Sequence, residues 1–325
     1  MKRREFLTAM TTAALASAAP GIASAQQRLA MGATFSTSTY YTYQVGIANY
    51  LNTVVEGIDI SVQELGGAEV ATQALLRGEV DMGLSLTSSD HAARNGLAPF
   101  AAPADKLRTL YFFAPAPLNL VVADESKVRS LADLDGVRFN PGGRGTSTER
   151  QVDQILEVLG ITPEVVRAEG SDALEAFKNR QIDAFAKIGI HPDGLIQQAA
   201  ASRAIRFLDM TPEEQQKISE ASGFLSPTTV NPGNFYGSGQ NDGVATVQAA
   251  VGINTTADLD EDVAYRIARA VLSEAGKAAE GEFYPQAKSV NTAQLTIDAA
   301  VAPLHPGVIR YLEEAGYTVP DRLRP

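Results

Sequence analysis

The chain has 325 residues, a formal net charge of −11 and no cysteine, so disulfides, thiol chemistry and most structural zinc sites are excluded. An acidic balance without a basic stripe argues against nucleic acid and anionic membranes as partners. Three isolated histidines, His91, His191 and His305, do not have the spacing of a metal cluster, and we expect no metal and no cofactor.

The first 25 residues have the features of an export signal in the usual order. Arg3 and Arg4 open MKRREFLTAM, an alanine-rich apolar run follows, and Ala23-Ser24-Ala25 fits a small-residue cleavage site. We therefore predict a twin-arginine-type signal peptide over residues 1–25 and a mature chain in the periplasm. The alternative is a soluble helix that begins with basic residues. Removing the segment leaves 24 basic and 37 acidic residues, a net charge of −13. No later stretch approaches the roughly 20 apolar residues of a membrane span.

Short apolar strands alternate with helical stretches in the first part of the mature chain. The predicted strands are RLAMGATF, IDISVQEL and EVDMGLSL, the predicted helices are STYYTYQVGIANYLNTV and GGAEVATQALLRG, and two more strands, LRTLYFF and LNLVVA, follow. This βαβα rhythm indicates a parallel sheet covered by helices.

The βαβα alternation then restarts and is followed by a segment of different composition. The second run comprises the strands VRFN, VVRA, IDAFAKIG and AIRFLDM and the helices TERQVDQILEVLG, SDALEAFKNR and one from about Pro192. After Pro227 the sequence PTTVNPGNFYGSGQNDG predicts an ordered loop that crosses between lobes. VATVQAAVGIN then predicts a strand, DEDVAYRIARAVLSEAGKAA one long amphipathic helix, and the C-terminus is mostly helical.

An internal echo suggests that the two runs repeat one plan. Residues 74–81, ALLRGEVD, resemble residues 176–183, AFKNRQID, since each ends a helix, turns tightly and opens a strand with an apolar residue and Asp. Chance similarity of helix-to-strand turns is the alternative. Because roughly 300 residues also exceed one usual core, we predict two lobes. Lobe 1 comprises residues 26–117 and 240–325, and lobe 2 comprises residues 118–239 with the crossing segments.

The stretch NPGGRGTSTER at residues 140–150 leads from a strand into a helix. Thr146 and Glu149 have the spacing of a capping box, in which each side chain accepts from the amide of the other residue. The free amides of the helix start and the hydroxyls of Ser147 and Thr148 then form a small-anion site. The phosphate-loop lysine is missing, so a carboxylate fits better than a nucleotide. A strand-to-helix loop with a good cap and no ligand is the alternative.

Hydroxyl-rich helix starts also occur in the first run. Ser36-Thr37-Ser38-Thr39-Tyr40-Tyr41 stands between a strand and a helix, and Leu86-Thr87-Ser88-Ser89-Asp90 leaves another strand end. Two open α/β lobes that face each other at the carboxyl ends of their strands form a ligand cleft. We therefore expect these segments to line a cleft between the lobes.

Taken as an ordered set, these motifs resemble the TAXI branch of solute-binding proteins, the receptors of TRAP transporters. The matching segments are Thr39-Tyr40-Tyr41, Gly66-Gly67-Ala68, GEVDMGLSLTSSD, SLADLDGVRFNPGGRGTSTE, DALEAFKNRQIDAFAKIGIHP, VNPGNFYGSGQND and PLHPGVIRYLEEAG. The resemblance covers nearly all of the mature chain. It implies the two-lobed periplasmic-binding-protein type II fold with a hinge. It also implies a small solute, such as an amino acid like glutamate, a dicarboxylate or a 2-oxo acid, that is passed to an ion-gradient-driven membrane permease.

The resemblance also implies which residues bind the solute. Lobe 1 would contribute Ser36, Thr37, Thr39 and Tyr40, with Ser88 or Ser89 beside them, and lobe 2 would hold a carboxylate through Gly145, Thr146, Ser147 and Thr148. The crossing loop would close over the site with Asn234 and Tyr236. His191, in a His-Pro step, is either a ligand-binding or a structural histidine. Arg144 pairs with the carboxylate, stands at the rim, or points to solvent, and its planar guanidinium suits the first of these roles.

Other functional classes find less support in the sequence. It contains no Gly-x-Ser-x-Gly elbow, no His-Glu-x-x-His, no dinucleotide fingerprint and no paired carboxylates placed for catalysis, so we expect a binding protein and not an enzyme. A receptor of the same fold that serves an ATP-driven importer or a sensor kinase remains an alternative. We expect a monomer that closes on its ligand.

Overall fold

The computed structural model describes residues 26–34, 36, 38–144, 146–168 and 170–325. The predicted signal peptide, residues 1–25, lies outside the described residues, as do Thr37 and Gly145. The strands are β1 Gln27–Ala33, β2 Ile58–Glu64, β3 Met82–Leu86, β4 Leu107–Ala123, β5 Arg138–Asn140, β6 Glu164–Val165, β7 Ala184–Ile188, β8 Ile205–Phe207, β9 Ser226–Val230 and β10 Val244–Thr256. The helices are α1 Thr39–Val54, α2 Ala68–Leu76, α3 Thr87–Asn95, α4 Ser147–Leu159, α5 Ser171–Lys178, α6 Gly194–Ser202, α7 Pro212–Ser222, α8 Glu261–Leu272, α9 Glu274–Phe283, α10 Thr292–Ala299 and α11 Pro306–Glu314.

The two halves of the sheet follow the same plan. In the first, the order is β2-β1-β3-β10, with β1 parallel to β2 and β3, and β10 antiparallel to β3. In the second, the order is β6-β5-β7-β4, with β5 parallel to β6 and β7, and β4 antiparallel to β7. Each half therefore has three parallel strands followed by one antiparallel strand, which supports the predicted repeat.

The strands β4 and β10 join the halves. They pair with each other along residues 107–117 of β4, and at Leu118 the neighbour of β4 changes to Ile188 of β7. Two extended segments side by side form a hinge with two crossings, since each can bend without breaking either half of the sheet. The lobe boundaries at 117/118 and 239/240 stay a prediction.

The prediction of two strands over LRTLYFF and LNLVVA was wrong. The two segments form the single 17-residue strand β4, which runs through Pro115 and Pro117. A proline cannot donate a ladder hydrogen bond and is tolerated where the strand edge is free or where the partner changes. Pro117 stands at that change of partner, where its carbonyl accepts from the amide of Gly189.

The predicted loop after Pro227 begins instead as the strand β9, which pairs antiparallel with β10 from Val230 opposite Val244 to Ser226 opposite Gln248. The β-branched residues of PTTV favour a strand, and the neighbouring Pro, Gly and Asn residues obscured that signal. The segment is therefore the arm of a hairpin, and residues 231–243 form its loop.

The single amphipathic helix predicted over residues 260–279 is broken in the structure. α8 ends at Leu272, and Ser273 caps α9, accepting a hydrogen bond from the amide of Gly276 at 3.1 Å. A side chain at position 276 would approach the carbonyl oxygen of Ala270 to 2.2 Å, so this turn needs a glycine. Serine favours an N-cap over a helix interior, which explains the break.

The C-terminal helices pack on the part of β4 that pairs with β10, as expected for packing on the first lobe. The amide of Phe112 in β4 donates to the hydroxyl of Thr296 in α10 at 2.9 Å, and the amide of His305 donates to the carbonyl of Thr109 at 3.0 Å. Within the described part of the chain, none of the helices is long and apolar enough to cross a membrane.

Candidate functional site

The start of α4 is shaped by the glycine-rich loop that follows β5. The buried Asn140 side chain accepts from the amide of Gly142 at 2.7 Å and donates to the carbonyl of Ala168 at 2.9 Å, which fixes the loop. Gly142 has a φ of +123°, a conformation that favours glycine. The hydroxyl of Thr146 accepts from the amide of Glu149 at 3.2 Å and so caps the helix.

Only half of the predicted capping box is present. The amide of Thr146 donates to the carbonyl of Gly143 at 3.2 Å and not to Glu149. The carboxylate of Glu149 instead forms an ion pair with Arg167, which follows β6 and also pairs with Asp153 at 3.0 Å. A guanidinium is a stronger partner for a carboxylate than a neutral amide is, which favours the ion pair with Arg167.

A carboxylate from the other half of the molecule occupies the outer side of the α4 start. The hydroxyl of Ser147 donates to Oε1 of Glu69 at 2.9 Å, and the Arg150 guanidinium forms an ion pair with the same oxygen. Glu69 lies in the first turn of α2, directly after Gly66-Gly67-Ala68. Only 14% of its side chain is exposed. The predicted anion position is therefore filled by a carboxylate of the protein itself.

A second contact crosses between the halves beside this one. The side-chain amide of Gln151 in α4 donates to the hydroxyl of Ser88 at 3.1 Å. The structure thus brings Ser88, in the first turn of α3, to the predicted lobe 2 site. The neighbouring Ser89 is buried and engaged with backbone, since its hydroxyl donates to the carbonyl of Leu86 at 2.8 Å.

The start of α1 is capped by Ser38, whose hydroxyl accepts from the amide of Tyr40 at 3.2 Å. Ser36 and Thr39 are exposed beside it. The ring of Tyr40 packs edge-on against Phe113, with the ring centroids 6.0 Å apart. Burial, with a smaller effect from the charge of Asp193, raises the pKa of Tyr40 to about 12. Asp193 caps α6, and the raised pKa keeps the Tyr40 hydroxyl neutral at pH 7.

Tyr236 orients His191 through a hydrogen bond to its imidazole ring. The Tyr236 hydroxyl accepts from the amide of Asp193 at 2.7 Å and lies 2.8 Å from Nδ1 of His191. In neutral His191 the tautomer of the ring sets which of the two groups donates in this hydrogen bond. Burial lowers the pKa of His191, which favours this neutral form.

A cavity of about 250 Å³ lies beside His191 at the hinge. Its lining combines residues of β4, of the segment after β7 and of the segment after α9: Ala114, Pro115, Ile190, His191, Tyr284, Gln286, Ser289 and Val290. Tyr236 does not line it, since that side chain is 6% exposed and packs in the core around Phe177 and Phe185. Tyr236 thus supports the cleft by orienting His191 from within its own lobe.

Two other predicted site residues are exposed. Arg144 stands at the turn before α4, and Asn234 lies in the short 3-10 helix Gly233–Phe235 of the hairpin loop. Thr148, one residue after Ser147, is half-buried at the α4 start. The structure places Ser147 and Ser88 in two neighbouring contacts at α4, with Glu69 and Gln151 respectively, and Tyr40 and His191 near the hinge.

Sequence reasoning missed the charged pair and, apart from His191, the residues that line the hinge cavity. Glu69 follows a glycine pair that the family resemblance had marked, and Arg150 stands one helical turn after the cap Thr146, so both positions had a local signal. Tyr284, Gln286 and Ser289 had none, because their place depends on how the C-terminal segment packs against β4.

The chemistry of the assembled groups suits binding. The α4 start offers a hydroxyl and a guanidinium to an anion, and the hinge cavity offers aromatic surface, amide and hydroxyl groups. Among the described residues no group of three His, Asp or Glu side chains is placed to hold a metal ion. Hydroxyl and guanidinium donors at a helix start can hold a carboxylate.

Comparison with known proteins agrees with this architecture. The model of the NMT1-like family matches residues 31–316. The Escherichia coli periplasmic aliphatic sulphonate binding protein SsuA is 17% identical, over 88% of this chain and 83% of its own, with a TM-score of 0.50. MatC from Rhodopseudomonas palustris, solved with bound malate, is 16% identical over 89% of this chain and 96% of its own, with a TM-score of 0.50. A Streptococcus mutans structure from work on glutathione import via GshT and the cystine ABC importer TcyBC is 11% identical, over 79% and 95%, with a TM-score of 0.51. At these identities the likeness concerns the fold, and the predicted two-lobed α/β binding-protein fold is confirmed.

Proposed function

The chain belongs to the NMT1-like family, and on that premise we propose that it is an extracytoplasmic receptor for a small carboxylate-bearing solute. One observation carries the proposal. The start of α4 holds a carboxylate, that of Glu69, through the hydroxyl of Ser147 and the guanidinium of Arg150. A site that binds an internal carboxylate with these donors has the chemistry to bind the carboxylate of a solute.

The rest of the solute would extend toward the hinge. The cavity beside His191 is lined by Tyr284, Gln286 and Ser289, which offer an aromatic face and polar groups. A molecule with a carboxylate at one end and a second polar group fits this arrangement, as in an amino acid, a dicarboxylate or a 2-oxo acid. MatC was solved with malate, a dicarboxylate, and SsuA is an aliphatic sulphonate binder, so anion binding is compatible with the fold.

Capture would proceed by hinge closure. Polar groups of the solute lose water when the lobes close, and the donors of both lobes replace that water. The paired crossing strands β4 and β10 are the bending elements of this scheme. Export by the predicted twin-arginine signal would place the receptor in the periplasm.

We propose a TRAP permease, driven by an ion gradient, as the membrane partner, because the ordered motifs resemble the TAXI receptors. An ATP-driven importer is the second candidate, since the Streptococcus mutans comparison structure comes from work on an ABC importer. Uptake of the solute by cells depleted of ATP separates the two. Uptake that persists without ATP and stops when the ion gradient is collapsed supports the TRAP partner, and the opposite pattern supports the importer.

A thermal-shift screen tests the proposed ligand class. We expect the largest stabilisation from an organic acid or amino acid, because a ligand that binds only the folded state raises the melting temperature. The same ligand should lower the radius of gyration in small-angle X-ray scattering. A strongest ligand without any carboxylate would contradict the proposal.

A further inference from the structure

We propose that Glu69 is an internal latch, whose carboxylate closes the ligand-free protein and occupies the position that a solute carboxylate must take. The statement that Glu69 occupies the position of a solute carboxylate rests on the proposed function. The statement that Glu69 closes the ligand-free protein concerns the protein alone. An acidic solute would then bind by displacing Glu69 from the α4 start.

The geometry of Glu69 places a negative charge between two helix starts. Its own helix, α2, begins at Ala68 after the N-cap Gly67, and across the cleft α4 begins at Ser147. Each helix start carries the positive end of a helix dipole, so both favour the carboxylate. The hydroxyl of Ser147 and the guanidinium of Arg150 add two directed partners.

The Glu69 contact joins the two lobes through residues that are far apart in the sequence. Glu69 is separated from Ser147 by 78 positions and from Arg150 by 81. The Ser88 to Gln151 hydrogen bond, at 3.1 Å, is the neighbouring bridge and involves neutral groups. Since a charge-assisted bond is about twice as strong as a neutral one, the Glu69 contact should dominate this closure.

The latch also defines which acids can bind. Glu69 is tethered to the cleft, so its effective concentration at the α4 start is on the order of millimolar or more. A simple monocarboxylate has only one group with which to compete. A solute that also reaches the hinge cavity beside His191 gains further contacts and can displace the internal carboxylate. The latch would therefore select solutes with at least two binding groups.

The first experiment measures the distance between the lobes without any ligand. The chain contains no cysteine, so the double variant Gln63→Cys, Asp172→Cys accepts two spin labels. Both positions are exposed: Gln63 lies near the end of β2, and Asp172 lies in the first turn of α5. Glu69→Gln in this background removes the charge and keeps the size. Glu157→Gln, which removes an exposed carboxylate from the last turn of α4, is the matched control.

We expect the ligand-free Glu69→Gln protein to shift to longer inter-lobe distances, and the control to keep the distribution of the parent. An unchanged distribution in Glu69→Gln would overturn the latch, whatever the solute is. A shift that also occurs in Glu157→Gln would overturn it too, since the effect would then follow net charge and not this contact.

The second experiment titrates acetate, succinate and L-glutamate into the same proteins without labels. We expect acetate to bind Glu69→Gln about tenfold or more tightly than the wild type, because tenfold corresponds to about 1.4 kcal/mol and the competing carboxylate is gone. Equal or weaker acetate binding in Glu69→Gln would overturn the inference that Glu69 and a solute carboxylate occupy the same position. If none of the three acids binds either protein, the proposed ligand class fails, while the distance measurement still decides whether the latch exists.

Discussion

The two lobes have similar hydroxyl-rich helix starts, but among the described residues the bonds made by their side chains differ. α1 begins at the hydroxyl-rich segment around Ser38, whose cap bonds a backbone amide and whose neighbour Thr39 is exposed. α4 begins at an equally hydroxyl-rich segment, yet Ser147 bonds a carboxylate from the other lobe and Arg150 forms an ion pair with it. Hydroxyls at a helix start thus indicate a cap, and a charged partner across the cleft distinguishes a candidate anion site from a cap alone.

Selected acidic residues of the two lobes differ in their surroundings. In lobe 1, Asp90 and Glu280 are fully buried among neutral donors, and burial raises the pKa of each to about 7. In lobe 2, Glu125 is exposed, and its pKa is lowered: burial would raise it, but hydrogen bonds to its own backbone and to Arg203 and the charges of Arg203 and Arg180 outweigh that effect. Lobe 1 therefore contains two buried carboxyls with raised pKa values, whereas the exposed Glu125 of lobe 2 is held in ion pairs.

This contrast predicts a pH effect that belongs to lobe 1. A carboxyl whose pKa rises on folding contributes stability that is present below its unfolded pKa and is lost as pH rises through about 7. For Glu280 the loss between pH 5 and pH 8 is roughly 2 to 3 kcal/mol, from the shift between the ordinary value and about 7. Urea denaturation at the two pH values measures it.

Glu280→Gln isolates the effect, because the amide can still accept the hydrogen bond that the Tyr43 hydroxyl donates to Glu280 at 2.5 Å. The variant should lose less stability than the wild type over the same pH range. Glu125→Gln serves as the lobe 2 comparison and should not flatten the pH dependence. Equal slopes for wild type and Glu280→Gln would remove the distinction between the lobes.

The contrast between the helix starts predicts unequal effects on binding. In the Glu69→Gln background, where no internal carboxylate competes, Arg150→Ala should weaken binding of the best acid about 10- to 150-fold, as expected for a charge-assisted bond of roughly 1.5–3 kcal/mol. Thr39→Ala in the same background should weaken it less than about tenfold, since a neutral hydrogen bond is worth about 1 kcal/mol. Calorimetric titration of the two variants measures the difference. A larger effect at Thr39 would reverse the comparison.

The smallest expected difference concerns the two equivalent turns of the repeat. Gly78 in lobe 1 and Arg180 in lobe 2 both have left-handed backbones, with φ of +72° and +57°. A Cβ at position 78 would meet no atom within 4 Å, so Gly78→Ala should cost only the backbone strain, about 1 kcal/mol. Arg180→Gly should relieve strain of similar size and leave the protein at least as stable. Thermal unfolding of both variants tests this prediction. An unchanged melting temperature in Gly78→Ala would contradict it.

Local signals allowed much of the fold to be predicted. The αβ turns at Gly78 and Arg180, the caps at Ser38 and Thr146 and the period of the strands are encoded within a few residues, so the repeat and the helix starts followed from the sequence. The continuity of β4 and the break at Ser273 were missed, since they depend on the pairing with β10 and on the close approach of Gly276 to Ala270.

The candidate site was predictable only in part, for a physical reason. The hydroxyls of the α4 start lie in one stretch of sequence, whereas the partner of Ser147 comes from α2, 78 positions away, and is set by how the lobes close. The proposal for Arg144 rested on its position in the loop. The structure exposes Arg144 and places Arg150, one turn into the helix, against the carboxylate. Which of the two arginines contacts the carboxylate depends on the orientation of the helix, which the sequence alone does not give.

The most direct test of the proposed function compares one acid with its neutral analogue. The best ligand from the thermal-shift screen and its methyl ester are titrated into the wild-type protein by calorimetry. If a carboxylate is held at the α4 start, the ester should bind about 10- to 150-fold more weakly, because it loses charge-assisted bonds worth roughly 1.5–3 kcal/mol. An ester that binds as tightly as the acid would contradict the assignment of this site to a carboxylate.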